Sequence, residues 1–285
     1  MKKFIAWALA ALLMVPVSCN KGKEIHMDEP STKELAQVIT FNTPAVLGAY
    51  GVKSIELSEA GRYIVILEAA AKAVANSDEE VFYGTYTYTN GTFNLDGFGH
   101  VTINGNQVTI TTETAGGSPV TASATIKPTT TSDTAHDNLC RTWKVGKTII
   151  GLAGGSFGQA GVEKVFKSGL NMNEIINWAE EYISLSDTDK QDLLKYSVQE
   201  VSITGSGSIA VAFSSASPFV GSYSLNLENI SFGFDAEDIP FITSGKFTGT
   251  ATFTGNVCKV TVQASMVHNN QNYSATLEME LTEAI

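Results

Sequence analysis

Short stretches of alternating polar and apolar side chains, separated by turn-forming residues, dominate this sequence. Segments 86–89 (YTYT) and 92–95 (TFNL) flank Asn90-Gly91, a dipeptide that accepts the positive φ angles of a two-residue type I′ hairpin turn. The pattern recurs through the first half of the chain and again from residue 198 onward. Period-two alternation indicates half-buried strands. The sequence therefore predicts a mainly β fold with two tandem antiparallel units, each a barrel or a sandwich.

Composition divides the chain into two β-rich parts joined by a polar stretch. Residues 128–138 (PTTTSDTAHDN) show no apolar periodicity and are predicted to form a linker. The predicted organisation is a signal peptide at 1–18, a tether at 19–30, an N-terminal β-rich domain at 31–127, the linker at 128–138 and a C-terminal β domain at 139–285.

Helices are predicted at few places, and each begins at a capping sequence. Residues 31–34 (STKE) form a capping box. In the C-terminal domain, Ser156, Asn171 and Ser186 are predicted N-caps, so we expect a helical insertion at residues 156–196, after the domain's first strand. The acidic residues after Ser186 resemble the start of a calcium loop but lack its sixth-position glycine, and capping explains them better.

The N-terminus has the features of a bacterial lipoprotein signal. Lys2 and Lys3 precede an apolar run at residues 4–15, which is shorter than the about 20 residues that a bilayer-spanning helix needs. Residues 15–19 (VPVSC) resemble a lipobox, in which the cysteine is lipidated after cleavage. We therefore expect a palmitate-bearing lipid anchor on Cys19. A plain signal peptide with an incidental cysteine is the alternative.

The residue after the lipobox indicates the location of the protein, and its net charge limits the partners it can have. Asn20 is not the aspartate that commonly retains lipoproteins at the inner membrane, so we expect the outer membrane, on either its periplasmic face or the cell surface. Of the 18 basic residues, two lie in the signal peptide, and the remaining 16 are outnumbered by 29 acidic residues. This balance excludes nucleic acid as a partner. The expected partners are the membrane, through the lipid, and a small ligand or an envelope protein.

Two further cysteines, Cys140 and Cys258, remain in the mature chain. The cell envelope is oxidising, so a disulfide between them is one prediction; it would contribute about 4–5 kcal/mol in the chain-entropy model. Two buried thiols are the alternative. The four histidines are scattered, and no Cys-x-x-Cys or His-x-x-x-His spacing occurs. We therefore expect neither a metal nor a cofactor.

No sequence motif indicates catalysis. There is no Gly-x-Ser-x-Gly elbow, and the glycine-rich segment 151–161 lacks the Lys-Ser/Thr ending of a P-loop. A carboxylate pair for glycoside cleavage is left open, because such pairs meet only in three dimensions. We expect no catalytic residue. Tyr86 and Tyr88 alternate with threonine, which favours core packing over a stacking platform for sugars.

Residues 139–145 (LCRTWKV) resemble the first strand of lipocalin-like domains, which opens with Gly-x-Trp; Arg141 occupies the glycine position here. The whole chain is similar to two-part lipoproteins of Gram-negative gut anaerobes. This resemblance implies that the C-terminal domain is a lipocalin-like barrel and that Trp143 closes the barrel base.

The predicted function is non-enzymatic binding of a small apolar molecule or a glycan at the cell envelope. A structural or assembly protein that acts through protein–protein contacts is the alternative. A hydrolase is the least favoured reading.

Overall fold

The computed structural model is mainly β and divides into two compact units. It describes residues 31–48, 50–69, 80–113, 118–129, 134–154, 157–167, 169–182, 184–226, 231–235, 246–254, 257–268 and 271–284. One unit, here the barrel unit, ends at Arg141 and also includes Thr204–Ser206. The other, here the curled-sheet unit, comprises Thr142–Ile203 and Gly207–Ile285. The predicted mainly β fold with two antiparallel units is confirmed.

The barrel unit is an eight-stranded closed barrel in which each strand pairs antiparallel with the next. Its strands are β1 Gln37–Leu47, β2 Tyr50–Leu57, β3 Arg62–Ala69, β4 Glu80–Thr89, β5 Thr92–Leu95, β6 Gly99–Asn104, β7 Gln107–Thr112 and β8 Val120–Pro128. The pairing of Gln37–Phe41 in β1 with Ala124–Pro128 in β8 closes the ring. The chain enters β1 at one end, here the entry end. The other end, where β1, β3, β5 and β7 end, is here the far end.

Apolar side chains fill the interior of the barrel unit, since alternate residues of every strand point inward. The aromatic rings pack edge-on or tilted, with ring centroids 5.4 Å apart for Phe82 and Phe98 and 4.7 Å apart for Tyr88 and Phe93. The buried core cluster consists of Ile39, Phe41, Ala45, Val52, Ile55, Leu57, Tyr63, Val65, Leu67, Tyr86, Phe93, Leu95, Phe98, Val101, Val108, Ile110 and Ala124. The prediction that Tyr86 and Tyr88 pack toward the core is confirmed.

Two local predictions in the barrel unit are confirmed. Asn90 and Gly91 have φ angles of 52° and 82° and connect β4 to β5 as a two-residue turn. Helix α1 (Thr32–Leu35) begins with the predicted capping box, in which Ser31 N–H donates to Glu34 Oε2 at 2.8 Å. Pro128 ends β8, and Thr134–Leu139 form helix α2, so the second half of the predicted linker is helical.

The curled-sheet unit is an antiparallel sheet with a short added strand. Its strands are β9 Thr142–Gly154, β10 Val162–Phe166, β11 Val198–Ile203, β12 Ser208–Phe213, β13 Phe219–Ser222, β14 Ser224–Asn226, β15 Ser231–Asp235, β16 Lys246–Thr254, β17 Val257–His268 and β18 Gln271–Glu283. The order is β13-β12-β11-β9-β18-β17-β16-β15-β14, and β10 pairs with β9. Apart from β10 and the step from β13 to β14, each strand pairs with its neighbour in sequence, and β9 pairs with the last strand.

The two terminal strands of this sheet, β13 and β14, belong to one stretch of chain. Residues 219–222 pair with β12 and residues 224–226 pair with β15, and only Tyr223 separates them. Consecutive Cα atoms are about 3.8 Å apart, so the two terminal strands of the order meet within one residue. The sheet therefore curls until its ends join in the same stretch.

The first predicted helix of the insertion at 156–196 is wrong, and its predicted N-cap, Ser156, lies outside the described residues. Residues 162–166 form β10, which pairs Val162 with Leu152 and Phe166 with Thr148 of β9. The physical reason is residue type, because β-branched and aromatic side chains favour a strand. Gly161 also has a φ of +73°, which interrupts a helix.

The other two helices of the insertion begin as predicted. Helix α3 (Met172–Ala179) has Asn171 as its N-cap, with the side chain accepting from Asn173 N–H at 2.9 Å. Helix α4 (Asp187–Leu194) has Ser186 as its N-cap, accepting from Asp189 N–H at 3.2 Å. The acidic residues of the calcium-like run therefore occupy the first turn of a helix, where negative charge is favourable.

One face of α3 is buried. Met172, Ile175, Ile176, Trp178 and Ala179 are its buried residues. Trp178 packs edge-on against Phe166 of β10, with ring centroids 5.8 Å apart. The aromatic pair thus attaches the helix to the strand that was predicted as helix.

Truncation of the Trp178 side chain should destabilise the curled-sheet unit. We expect Trp178→Ala to lower the free energy of unfolding by about 3–5 kcal/mol, because it leaves a cavity where a 3% exposed ring packs. Asn177→Ala, at the exposed neighbouring position, is the matched control and should change it by under about 0.5 kcal/mol. Urea denaturation of both variants measures the difference, and equal values would contradict the packing role.

Candidate functional site

A groove of about 310 Å³ opens on the outer face of the barrel unit. Its volume is at the small end of the usual range for ligand pockets. The lining residues are Thr85, Thr87, Asn94, Leu95, Asp96, Gly99, His100 and Glu113. Asp96 lies in the β5–β6 connection and Glu113 directly follows β7, so both carboxylates are at the far end of the barrel.

Backbone hydrogen bonds fix the positions of two residues that line the groove, Asp96 and Glu113. Asp96 N–H donates to Thr85 C=O at 3.0 Å, and Glu113 N–H donates to Phe98 C=O at 3.2 Å. Gly99 has a φ of +143°, and a Cβ at this position would lie 2.1 Å from the carbonyl oxygen of Thr111. Glycine is therefore required where β6 approaches β7.

Polar side chains form a cross-strand row in the groove. Thr87 lies opposite Asn94, and Asn94 lies opposite His100. The His100 Nδ1 atom is 2.8 Å from Asn94 Oδ1. Because an amide oxygen only accepts, Nδ1–H donates in this pair, and Nε2 of the neutral imidazole is then an acceptor. The row presents donors and acceptors to a ligand in a fixed arrangement.

Sequence reasoning did not single out His100 or Asn94. The two residues are six positions apart and meet because a three-residue connection joins β5 to β6. Asp96-Gly97 in that connection is a hairpin signal of the same kind as Asn90-Gly91. Reading it as a two-residue turn would have placed Asn94 opposite Gly99, one residue out of register with the observed partner His100.

Tyr63 connects the groove to the core beneath it. Its hydroxyl donates to the Asp96 carbonyl oxygen at 2.7 Å, and its ring is 1% exposed. Burial raises the pKa of Tyr63 to about 12, and the negative charges of Asp96 and Glu113 act in the same direction. The neutral phenol is thus the form that the folded barrel requires.

The predicted site residues lie elsewhere. Cys19 is outside the described residues. Trp143 is 2% exposed in β9, between Val201 and Glu283 on the neighbouring strands. Its role at a barrel base stays a prediction.

Both remaining cysteines are buried. Cys140 and Cys258 are 5% and 0% exposed, and the structure holds them as thiols. Burial raises the pKa of Cys258 to about 12, so this thiol is not poised as a nucleophile. A bridge between the two stays a prediction for the oxidised protein.

A second groove, of about 230 Å³, lies on the curled-sheet unit. Two lysines and two glutamates line it, Lys147, Lys259, Glu278 and Glu280. Lys259 is opposite Glu280 across the strands, with Nζ and Oε1 3.9 Å apart. Charges of opposite sign in this register stabilise an exposed sheet face, which accounts for the pattern without a ligand.

The described part of the chain contains neither a metal-binding cluster nor a membrane-crossing helix. Within those ranges, no three His, Cys, Asp or Glu side chains are grouped so that they could hold a metal ion. Among the helices described there, none combines the length and the apolar character that a membrane-crossing helix needs.

Comparisons with known proteins do not establish a family. No protein-family model matches the chain, and no curated protein matches it in sequence. It is similar at 8% identity to a crystal structure of a "putative outer membrane protein" from Bacteroides fragilis, over 88% of this chain and 100% of that one. The TM-score is 0.23, which is too low to establish a shared fold.

High pH should destabilise the protein through Tyr63. Its phenol ionises near pH 10 in the unfolded chain and near pH 12 in the folded one, so the unfolded state loses its proton first. The contribution to stability is fully present below about pH 10 and is lost as the pH rises toward 12. We expect Tyr63→Phe to reduce the fall in urea midpoint between about pH 9 and about pH 11.

The control for this experiment is Tyr50→Phe. Tyr50 is 43% exposed, so its replacement removes a phenol without changing the buried one. An equal reduction in both variants would contradict the assignment to Tyr63.

Proposed function

We propose that this protein is a lipid-anchored envelope protein that binds a neutral glycan in the groove on β4–β7, without chemical conversion. The groove is the observation that carries the proposal. Thr87, Asn94 and His100 offer hydroxyl, amide and imidazole groups in register, with two carboxylates at one end. Sugar hydroxyl groups both donate and accept hydrogen bonds, and this mixture of side chains does the same.

The packing of the barrel interior supports a glycan over an apolar ligand for this unit. Eight-stranded barrels either fill with side chains or hold one small ligand. Here Tyr63, Phe93 and Ile110, each at most 3% exposed, occupy the interior with the other core residues. A polar ligand on the outer face does not compete with them.

The sequence around Cys19 supports the anchor, and the barrel topology suits it. A tether at residues 19–30 leads to the entry end, where Gln37 begins β1. Asp96 and Glu113 of the groove lie at the far end. The start of β1 and the two carboxylates of the groove are therefore at opposite ends of the barrel.

The strand order of the curled-sheet unit supports a lipocalin-like fold. Apart from β10 and the step from β13 to β14, its consecutive strands pair up and down, as the resemblance at residues 139–145 implies. Trp143 lies near the start of β9, the first strand. Because fold does not determine function, this unit adds no ligand to the proposal.

A protein–protein role is the second candidate, and one surface favours it. The β1–β2 hairpin exposes two large apolar side chains, Val46 at 53% and Tyr50 at 43%. They flank a tight connection at the far end of the barrel. An assembly partner would be expected to cover this hairpin tip.

Groove variants test the glycan proposal. We expect Asn94→Ala to weaken binding of neutral oligosaccharides about tenfold, because it removes a ligand contact and releases the His100 ring. Asn42→Ala is the matched control, an exposed amide on β1, and should bind normally. A glycan array followed by calorimetry on residues 20–285 measures both. The proposal fails if the wild type binds no glycan, or if the two variants bind equally.

The anchor is tested separately. We expect Cys19→Ala to abolish incorporation of an alkyne-labelled palmitate and to release the protein from the membrane pellet, because the lipid is the anchor. Cys140→Ser should retain the label. A wild-type protein that is processed but unlabelled would instead establish the plain signal peptide.

A further inference from the structure

Five threonines form a continuous row across five strands of the barrel unit. Thr89 lies opposite Thr92, Thr92 opposite Thr102, Thr102 opposite Thr109, and Thr109 opposite Thr121. These five residues are here the threonine row. Adjacent strands are about 4.8 Å apart, so the row extends about 19 Å.

The threonine row lies on the outer face. Its members are exposed or half-buried, whereas the residues that alternate with them, such as Phe93, Val101 and Val108, are buried. Each hydroxyl both donates and accepts. The hydroxyl groups of Thr109 and Thr121 form a hydrogen bond of 2.8 Å with each other, and each can still form further hydrogen bonds.

The row is continuous with the groove. Thr87, Asn94, His100 and Thr111 form the adjacent cross-strand row, two residues along each strand. Three of these four line the groove. A ligand in the groove therefore has the threonine row directly beside it.

Neither row contains Lys, Arg, Asp or Glu, in a chain that has 29 acidic residues. An anionic ligand gains no partner on such a surface and is repelled by Asp96 and Glu113 at the end of the groove, and an apolar ligand would leave the hydroxyl groups unsatisfied. An uncharged polyhydroxyl chain satisfies them along the full 19 Å or so. This pattern of side chains therefore favours an uncharged polyhydroxyl ligand over an anionic or an apolar one.

We propose that the groove and the threonine row form one extended site, and that the ligand is a linear neutral oligosaccharide of several sugar residues rather than a monosaccharide. One sugar occupies the groove, and the chain continues over the row. This inference rests on the proposed function of the groove.

Chain length is the test, with gluco-, manno- and xylo-oligosaccharides of one to six residues as probes. We expect affinity for the wild type to rise at least about tenfold between one and four residues and then level off, because the row has finite length. The double variant Thr92→Val/Thr102→Val should lose this gain and keep the monosaccharide affinity. Thr40→Val, at an exposed position on β1, is the matched control and should behave as the wild type.

The outcomes separate the two proposals. Binding that depends on Asn94 but is equal for one and six residues overturns the extended site and leaves the groove function standing. A length gain that survives in the double variant also overturns it. Failure of all three series to bind the wild type overturns both. The wild-type length series keeps the test decisive even if the double variant does not fold.

Discussion

The pairing of β1 with β8 is the contact on which the barrel unit depends. Residues 37–41 and 124–128 come from the two ends of the unit's strand sequence, and their ladder converts a meander into a ring. A closed ring has no free strand edge. It also fixes which side chains point inward, and these fill the interior. The groove accordingly lies outside this filled interior, on the outer face and toward the far end.

The elements that the sequence predicts well are those decided by neighbours along the chain. Asn90-Gly91 adopts its turn, and Ser31, Asn171 and Ser186 cap their helices, because each motif satisfies its own backbone. Residues 162–166 were predicted as helix because their partner strand, β9, is not visible in a local pattern. Pairing, not local capping, determines that segment.

The groove could not be predicted for a related reason. Its polar groups come from three strands, β4, β5 and β6, and from the residues that directly follow β5 and β7, and no local motif marks them. The alternation of polar and apolar residues does predict which side chains face inward and which face outward, and the aromatic side chains face inward as predicted. Tyr63 shows the limit of that division, since its ring belongs to the core while its hydroxyl bonds to the backbone of the groove.

The stretch at residues 219–226 gives the curled-sheet unit an unusual mechanical property. Its first half is bonded to β12 and its second half to β15, so one short segment carries both terminal strands of the sheet. Pulling on either neighbouring strand loads the same segment at Tyr223. A single backbone cut there would free the two terminal strands from each other, and each lies at an end of the sheet order, where a strand from another chain can add to a sheet.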